Sequence, residues 1–225
     1  MNEPLADCVE TRVKGATLVL LPERAAFWRE KRMLLIADPH FGKAAAFRAS
    51  GVPVPAGTTS EGLSRLQSAV SRSGAQCVAF LGDLLHAKAG RSASLFDALA
   101  DWRRTNAKVE ILLVRGNHDR RAGDPPSDLG IECVDAPHVI PPLVLAHHPA
   151  SHEGGYVVAG HVHPGVRLYG PGGQRVRLPC FVFGRNYAVL PAFGDFTGLA
   201  DAEPDADTRV YAVADEAVIP VTSPA

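Results

Sequence analysis

Two stretches decide how this chain is read: "QCVAFLGD", residues 76–83, and "KVEILLVRGNHD", residues 108–119. Each is a short apolar run that stops on polar residues, Asp83 in the first and Arg115 to Asp119 in the second. Between them "SASLFDALADWRRT" (92–105) has the spacing of an amphipathic helix. Strand, helix and strand in that order predict a βαβ unit with parallel strands. Its right-handed crossover brings the polar strand ends to one edge of the sheet, where α/β sites lie.

The pattern extends in both directions. Upstream, "TLVLLP" (17–22), "AAFWRE" (25–30) and "RMLLIAD" (32–38) read as strands of a hairpin-like entry. "GKAAAFRAS" (42–50) reads as a helix stopped by Gly51, and "GVPVPAG" (51–57) as a loop because its prolines resist helix formation. "TTSEGLSRLQSAVSRSG" (58–74) reads as a helix capped by Thr58 or Thr59, with Leu63, Leu66 and Val70 on one stripe and Gly74 ending it. Downstream of about residue 130 helical patterns stop. "IECVD", "PLVLAHH", "YVVAGHVH", "VRLYG", "QRVRLPCFVF", "NYAVLPAF" and "TRVYAVAD" read as strands of a mostly antiparallel sheet, with a surface excursion after Phe196. The expectation is one α/β domain over residues 1–225. It is a two-sheet β-sandwich flanked by helices, a four-layer αββα arrangement.

Composition sets the boundary conditions. Hydrophobic residues make up 46% and charged residues 21% of 225 residues, enough for a substantial core. No apolar run reaches the roughly 18–20 residues that span a bilayer. The start "MNEPLADCVE" is polar and unlike a secretory signal, so no membrane partner and a cytoplasmic location are expected. The net charge of −1 neither favours nor excludes nucleic acid. Cys8, Cys77, Cys133 and Cys180 lie far apart without a C-x-x-C pair, which argues against a zinc knuckle, and Cys77, Cys133 and Cys180, in or beside apolar runs, read as reduced core thiols.

Five strands end in groups that carry chemistry: Asp38 and His40, Asp83 and His86, Asn117 and His118, His147 and His148, and His161 and His163. Gathered at one edge, buried carboxylates and imidazoles cost several kcal/mol unless they are paired or bind a cation. Nitrogen and oxygen donors without thiolate suit Mn, Fe, Zn or Co. Seven candidate ligands exceed the needs of one tetrahedral ion. Two ions sharing a carboxylate would use them, and paired ions are a phosphoryl-transfer arrangement.

The ordered blocks "DPH", "GDLLH", "GNHD", a histidine, and "GHVH" resemble the calcineurin-like metallophosphoesterase superfamily, whose pattern is D-x-H, G-D-x-x-[DH], G-N-H-[DE], H and G-H-x-H. The resemblance implies that Asp38, His40 and His163 hold one metal, that Asp83 bridges, and that Asn117, His147 and His161 hold the second. His147 is preferred to His148 for its place at the strand end. It also implies that His118 contacts the scissile phosphate and protonates the leaving oxygen as general acid, after attack by a metal-activated hydroxide. Arg115 or Arg120 are candidates to neutralise phosphoryl charge.

His86, three residues after the bridging Asp83, follows the nuclease branch of that superfamily and favours phosphodiesters. It is the remaining catalytic candidate. A closer resemblance, carried by "LLPERAAFW", "IADPHFGKAAAFRASGVPVPAGTT", "LGDLLHAKAGR", "LVRGNHDRRAGDPP", "AGHVHPGVRL" and "LPCFVFG", is to the bacterial ligase-associated DNA-damage-response metallophosphoesterases. Pro39 and Phe41 depart from the "DLHLG" expected there. That resemblance implies a manganese-dependent DNA endonuclease and phosphodiesterase in DNA repair, alongside a DNA ligase, a helicase and an exonuclease-like protein. Lys43, Arg48, Lys88 and Arg91 flank the ligand loops and could follow phosphates, while Phe41 and Phe47 could stack on an unpaired base. No helix-turn-helix, basic tail or RNA-binding signature appears, so sequence-specific binding is not expected, and a small site without an obvious cap domain suits an open groove taking single-stranded or unpaired DNA. The alternative is a small-molecule phosphodiesterase, for cyclic or dinucleotides, or a nucleotide pyrophosphatase.

Overall fold

The computed structural model describes residues 7–54 and 57–221. Residues 1–6 of the polar start, and positions 55–56 of the loop expected over 51–57, lie outside the described residues. The first sheet has the order β1 (Val9–Val13), β2 (Ala16–Leu21), β3 (Ala25–Trp28), β4 (Met33–Ile36), β5 (Cys77–Phe80), β6 (Glu110–Val114), β7 (Ile131–Val134). Its first four strands form an antiparallel meander, and β4 to β7 run parallel. The helices are α1 (Lys43–Ala49), α2 (Thr58–Ser73), α3 (Ala93–Thr105) and α4 (Asn117–Ala122).

The second sheet contains β8 (His138–Ile140), β9 (Leu143–Leu145), β10 (Tyr156–Ala159), β11 (Pro164–Tyr169), β12 (Arg175–Phe183), β13 (Tyr187–Val189), β14 (Ala200–Asp201), β15 (Arg209–Ala214) and β16 (Ala217–Val221). Its order is β14-β11-β12-β13-β10-β9-β8, with the β15–β16 hairpin joined to β12. The expected two mixed sheets flanked by helices are present.

Local chemistry explains the elements. In α2 the buried residues Leu63, Leu66 and Val70 form the expected stripe, and Gly74 ends the helix in the left-handed region at φ 62°. Ser92 caps α3 by accepting from the Leu95 N–H at 3.2 Å. The cap of α2 is Gly57 rather than Thr58 or Thr59, both of which are already helical.

Three strand assignments differ from expectation. β7 was read with the second sheet but pairs parallel with β6 in the first. Apolar β-forming runs do not encode which sheet they join. β9, β10 and β13 are parallel neighbours inside a sheet expected to be mostly antiparallel. "NHD", read as the polar end of the run over 108–119, instead begins the short helix α4.

Two apolar layers hold the sandwich. Between the sheets, Leu18, Leu20, Trp28, Leu35 and Leu81 meet Leu145, Val158, Phe181, Phe183 and Leu190. On the outer face of the first sheet, Leu34, Ile36, Val78, Phe80 and Leu113 pack against Leu63, Leu66, Val70, Leu95, Leu99 and Trp102 of the helices. A parallel bridge between Ala37 and Ala192, with Phe193 N–H donating to the Ala37 carbonyl at 2.8 Å, ties the end of β4 to the segment leaving β13. All four cysteines are free thiols, but only Cys180 is fully buried; Cys8, Cys77 and Cys133 are half-buried. Among the described residues no helix is long and apolar enough to cross a membrane.

Phe181 is fully buried between the sheets. Phe181→Ala should therefore lower the free energy of unfolding by about 3–5 kcal/mol, read from the midpoint of chemical denaturation.

Candidate metal centre

Each candidate side chain sits just beyond the carboxyl end of a strand. Asp38 and His40 follow β4, Asp83 and His86 follow β5, and Asn117 and His118 open α4 after β6. The second sheet supplies His147 after β9 and His161 and His163 after β10. All nine come together at one edge of the sandwich. Four groups of three place their donor atoms within 4.8 Å of one another: Asp38, His40 and His163; Asp38, Asp83 and His147; His147, His148 and His161; and His40, His86 and His118.

The backbone that holds them is bent. Asp38, His40, Asp83, His161 and His163 all have φ between 48° and 69°, in the left-handed region. A non-glycine residue held there costs on the order of 1–3 kcal/mol unless its surroundings enforce it. Hydrogen bonds between the loops do so. His40 N–H donates to the Asp83 carbonyl at 2.9 Å, Phe41 N–H to Leu84 at 2.8 Å, and Gly160 N–H to His147 at 3.1 Å. His161 N–H donates to Asp38 Oδ2 at 2.7 Å. Two glycines make the close approach possible. A Cβ on Gly82 would sit 2.2 Å from His147 Nδ1, and one on Gly160 would sit 2.5 Å from Asp38 Oδ2.

The convergent atoms are electron-pair donors with few protons between them. His147 Nδ1 lies 3.1 Å from the Leu81 carbonyl, which can only accept, so the ring proton belongs on Nδ1. That leaves the lone pair of Nε2 facing Asn117 Oδ1 at 2.9 Å and Asp83 Oδ2 at 3.5 Å. Asp83 Oδ2 is also 3.9 Å from His40 Nε2 and from His118 Nε2. Asp38 Oδ1 and His40 Nδ1 are buried without any hydrogen-bond partner. Burial, reinforced by the neighbouring Asp83 carboxylate, pushes Asp38 well above the usual carboxylate range, and burial raises Asp83 too. Burial, with Lys43 adding, pulls His40 down to about 2, and burial holds His147 and His163 at about 4. Neutral imidazoles, crowded carboxylates and orphaned acceptors are what divalent cations satisfy, so the residues present fit bound metal ions.

His118 stands at the margin of this cluster. Its Nδ1 lies 2.6 Å from the His86 carbonyl, and its N–H donates to Asp83 Oδ1 at 2.9 Å. The His86 ring stacks on it at 4.9 Å between centroids and 21° between planes. Burial lowers His86 to about 4, so that ring is neutral. Asp119, unassigned in the sequence reading, fixes this corner. Its Oδ2 accepts from Gly116 N–H at 2.9 Å and its Oδ1 from Leu85 N–H at 3.1 Å, bolting one ligand loop to the next. Its place as the acidic fourth letter of "GNHD" was the available signal.

The other candidates meet varied surroundings. Phe41 is 4% exposed within the layer between helices and sheet, so it cannot stack on a base. Arg115 is held bidentately by Asp124 at 2.8 and 2.7 Å, and Arg120 pairs with Asp135 at 3.1 Å. These carboxylates neutralise the arginines proposed for the phosphoryl group. Arg91 donates to the carbonyls of Gly123 and Asp124, both at 2.9 Å, beyond the end of α4. Arg48 donates to the Val54 carbonyl at 3.3 Å, and Lys88 is exposed. His148 reaches the same group as His147, with its ring centroid 4.1 Å from that of His161.

Comparison with solved structures places this arrangement. The chain is similar to the nuclease MPE of Pseudomonas putida at 38% identity, over 95% of this chain and 100% of that one, with a TM-score of 0.83. It is also similar to Yfce, a phosphoesterase from E. coli, at 18% identity over 83% of this chain and 96% of that one, with a TM-score of 0.43. No family model and no curated protein matches it. The chain belongs to the calcineurin-like metallophosphoesterase superfamily, in the branch that holds the P. putida nuclease. It is a metal-dependent phosphoesterase.

Asp38→Asn removes a buried negative charge beside Asp83 while keeping an acceptor for His161 N–H. The metal-stripped variant should be more stable than the stripped parent by about 1–2 kcal/mol, the size of a relieved buried charge. Its melting temperature should no longer rise when a divalent metal is added, whereas that of the parent should. Differential scanning fluorimetry with and without Mn²⁺ reads both.

Proposed function

We propose that this protein is a two-metal phosphodiesterase that cuts single-stranded or unpaired DNA internally. The observation that carries the reading is Asp83, whose one carboxylate oxygen faces His40, His118 and His147 at 3.5–3.9 Å. Asp38, His40 and His163 would hold one metal, Asn117, His147 and His161 the other, with Asp83 between them. His147 is chosen over His148 because it is buried and its Nδ1 is oriented by the Leu81 carbonyl. The metals supply, when bound, an acidified water and charge neutralisation on the phosphoryl oxygens.

The remaining steps fall to the protein. The His86 carbonyl accepts from His118 Nδ1–H and aims Nε2 at the cluster. To act as general acid the ring carries a proton on Nε2 as well as on Nδ1. His118 then gives that proton to the leaving oxygen. His86, neutral and stacked on His118, restricts the ring to that orientation.

DNA as the substrate is supported by the likeness to the P. putida nuclease and by the exposed His148 and His161, which open the cluster to solvent. A role in DNA repair beside a ligase, a helicase and an exonuclease-like protein belongs to the same reading. Manganese is the metal proposed, with Fe, Zn and Co as competitors for the same donors.

The test is incubation of metal-stripped protein with labelled circular and linear single-stranded DNA, with and without Mn²⁺. Mn²⁺-dependent nicking of circles is expected. It should fall about 10²–10⁴-fold in His118→Ala, and Asp83→Ala should lose both cleavage and metal binding. Hydrolysis of a simple phosphodiester without any DNA cleavage would sink the nuclease assignment and move the substrate to a cyclic or dinucleotide.

A further inference from the structure

Beside the cluster lies a shallow cleft, open to solvent, bordered by His40, Lys43, Thr58, Thr59, Asp195 and Phe196. Two of these residues stand on the rim without an ion pair or a place in the core. Phe196 is 52% exposed, and its backbone is held in the left-handed region at φ 60°. A bulky residue seldom adopts that conformation, and here it turns an apolar ring outward instead of into the core. Lys43 is only partly exposed, and no described carboxylate pairs with it. Its ammonium lies 5.7 Å from the Phe47 ring, and its charge depresses the basicity of His40, His86 and His163, so it sits beside the cluster.

The wall that carries Phe196 is rigid. Asp195 is gripped by Arg24 at 3.0 Å and by Arg65 at 2.9 Å, and Arg65 also donates to the Phe193 carbonyl at 2.6 Å. Gly194 N–H donates to the Asp38 carbonyl at 3.1 Å. Phe196 is thus two residues from a backbone contact with the ligand loop itself. The two arginines also cancel the Asp195 charge, so the cleft does not repel an anion.

We propose that Lys43 and Phe196 form a nucleotide subsite next to the cleavage point, Lys43 taking the phosphate of the adjoining nucleotide and Phe196 stacking on its unpaired base. The proposal rests on the nuclease reading and deepens it. Every base has a π-face, so an aromatic wall selects no sequence. A base stacked within a duplex cannot present that face, which makes the subsite a physical source of preference for unpaired strands.

The test uses the full-length Mn²⁺-loaded protein with two substrates: a single-stranded oligonucleotide and methyl para-nitrophenyl phosphate, which has no flanking nucleotide. Phe196→Ala should lower the ratio of kcat/KM for DNA to that for the small diester about tenfold, and Phe196→Trp should retain it. In a His118→Ala background, fluorescence anisotropy at several salt concentrations reads DNA binding without cleavage. Lys43→Ala should there reduce the slope of log affinity against log salt by about 0.7, one phosphate contact on a single strand. If the parent cuts DNA while the Phe196→Ala ratio and the Lys43→Ala slope are unchanged, the subsite is overturned and the nuclease reading stands. If the parent hydrolyses the small diester but neither binds nor cuts DNA, both are overturned.

Discussion

Asp38 and Asp83, two carboxylates 0% and 2% exposed at the same sheet edge, are the constraint around which the rest of the molecule is arranged. They sit among imidazoles that burial keeps neutral, so the cluster has no internal cation to balance it. Such a concentration of lone pairs is unfavourable on its own. It persists because the chain around it has little freedom. Loop-to-loop hydrogen bonds fix the bent ligand residues, and Asp119 joins the loops after β5 and β6. The same crowding that costs stability is what a bound divalent cation would relieve.

The two sheets have to be together for the site to exist. Asp38, Asp83 and Asn117 come from the first sheet, and His147, His161 and His163 from the second. The apolar layer of Trp28, Leu35, Phe181 and Phe183 sets the distance between them, and the Ala37–Ala192 bridge closes the seam. That seam continues through Gly194 and Asp195 to Phe196, so the floor of the cluster and the aromatic wall of the adjoining cleft are parts of one hydrogen-bonded segment. Packing far from these side chains therefore governs their geometry.

Much of this was legible in the residues. Apolar runs of four to six residues that stop at Asp38, Asp83, Asn117, His147 and His161 mark strands feeding one edge, because parallel strands share a direction. The glycine before Asp83 and the glycine before His161 were visible as letters. The reason for them was not, since it lies in His147 and Asp38, distant in sequence and adjacent in space. The fates of Phe41, Arg115 and Arg120 were equally hidden. An aromatic ring five residues beyond a strand end, as Phe41 is, turns inward or outward according to the helix above it. An arginine beside a ligand loop is free or neutralised according to whether a carboxylate such as Asp124 or Asp135 folds against it.

The sequence by itself determined most of the succession of strands and helices, though not β1, β8, β14, β16 or α4, together with the sandwich class and the set of side chains that meet at the edge, because hydrophobic period and chain order are local properties. Tertiary structure alone decided that β7 joins the first sheet, and that β9, β10 and β13 run parallel. It also decided which nitrogen of His147 faces the cluster, and that Phe196 and Lys43 border the same cleft. Each of these depends on partners many residues away, and pairing across such distances follows from shape and hydrogen-bond satisfaction in three dimensions rather than from the pattern of any one segment.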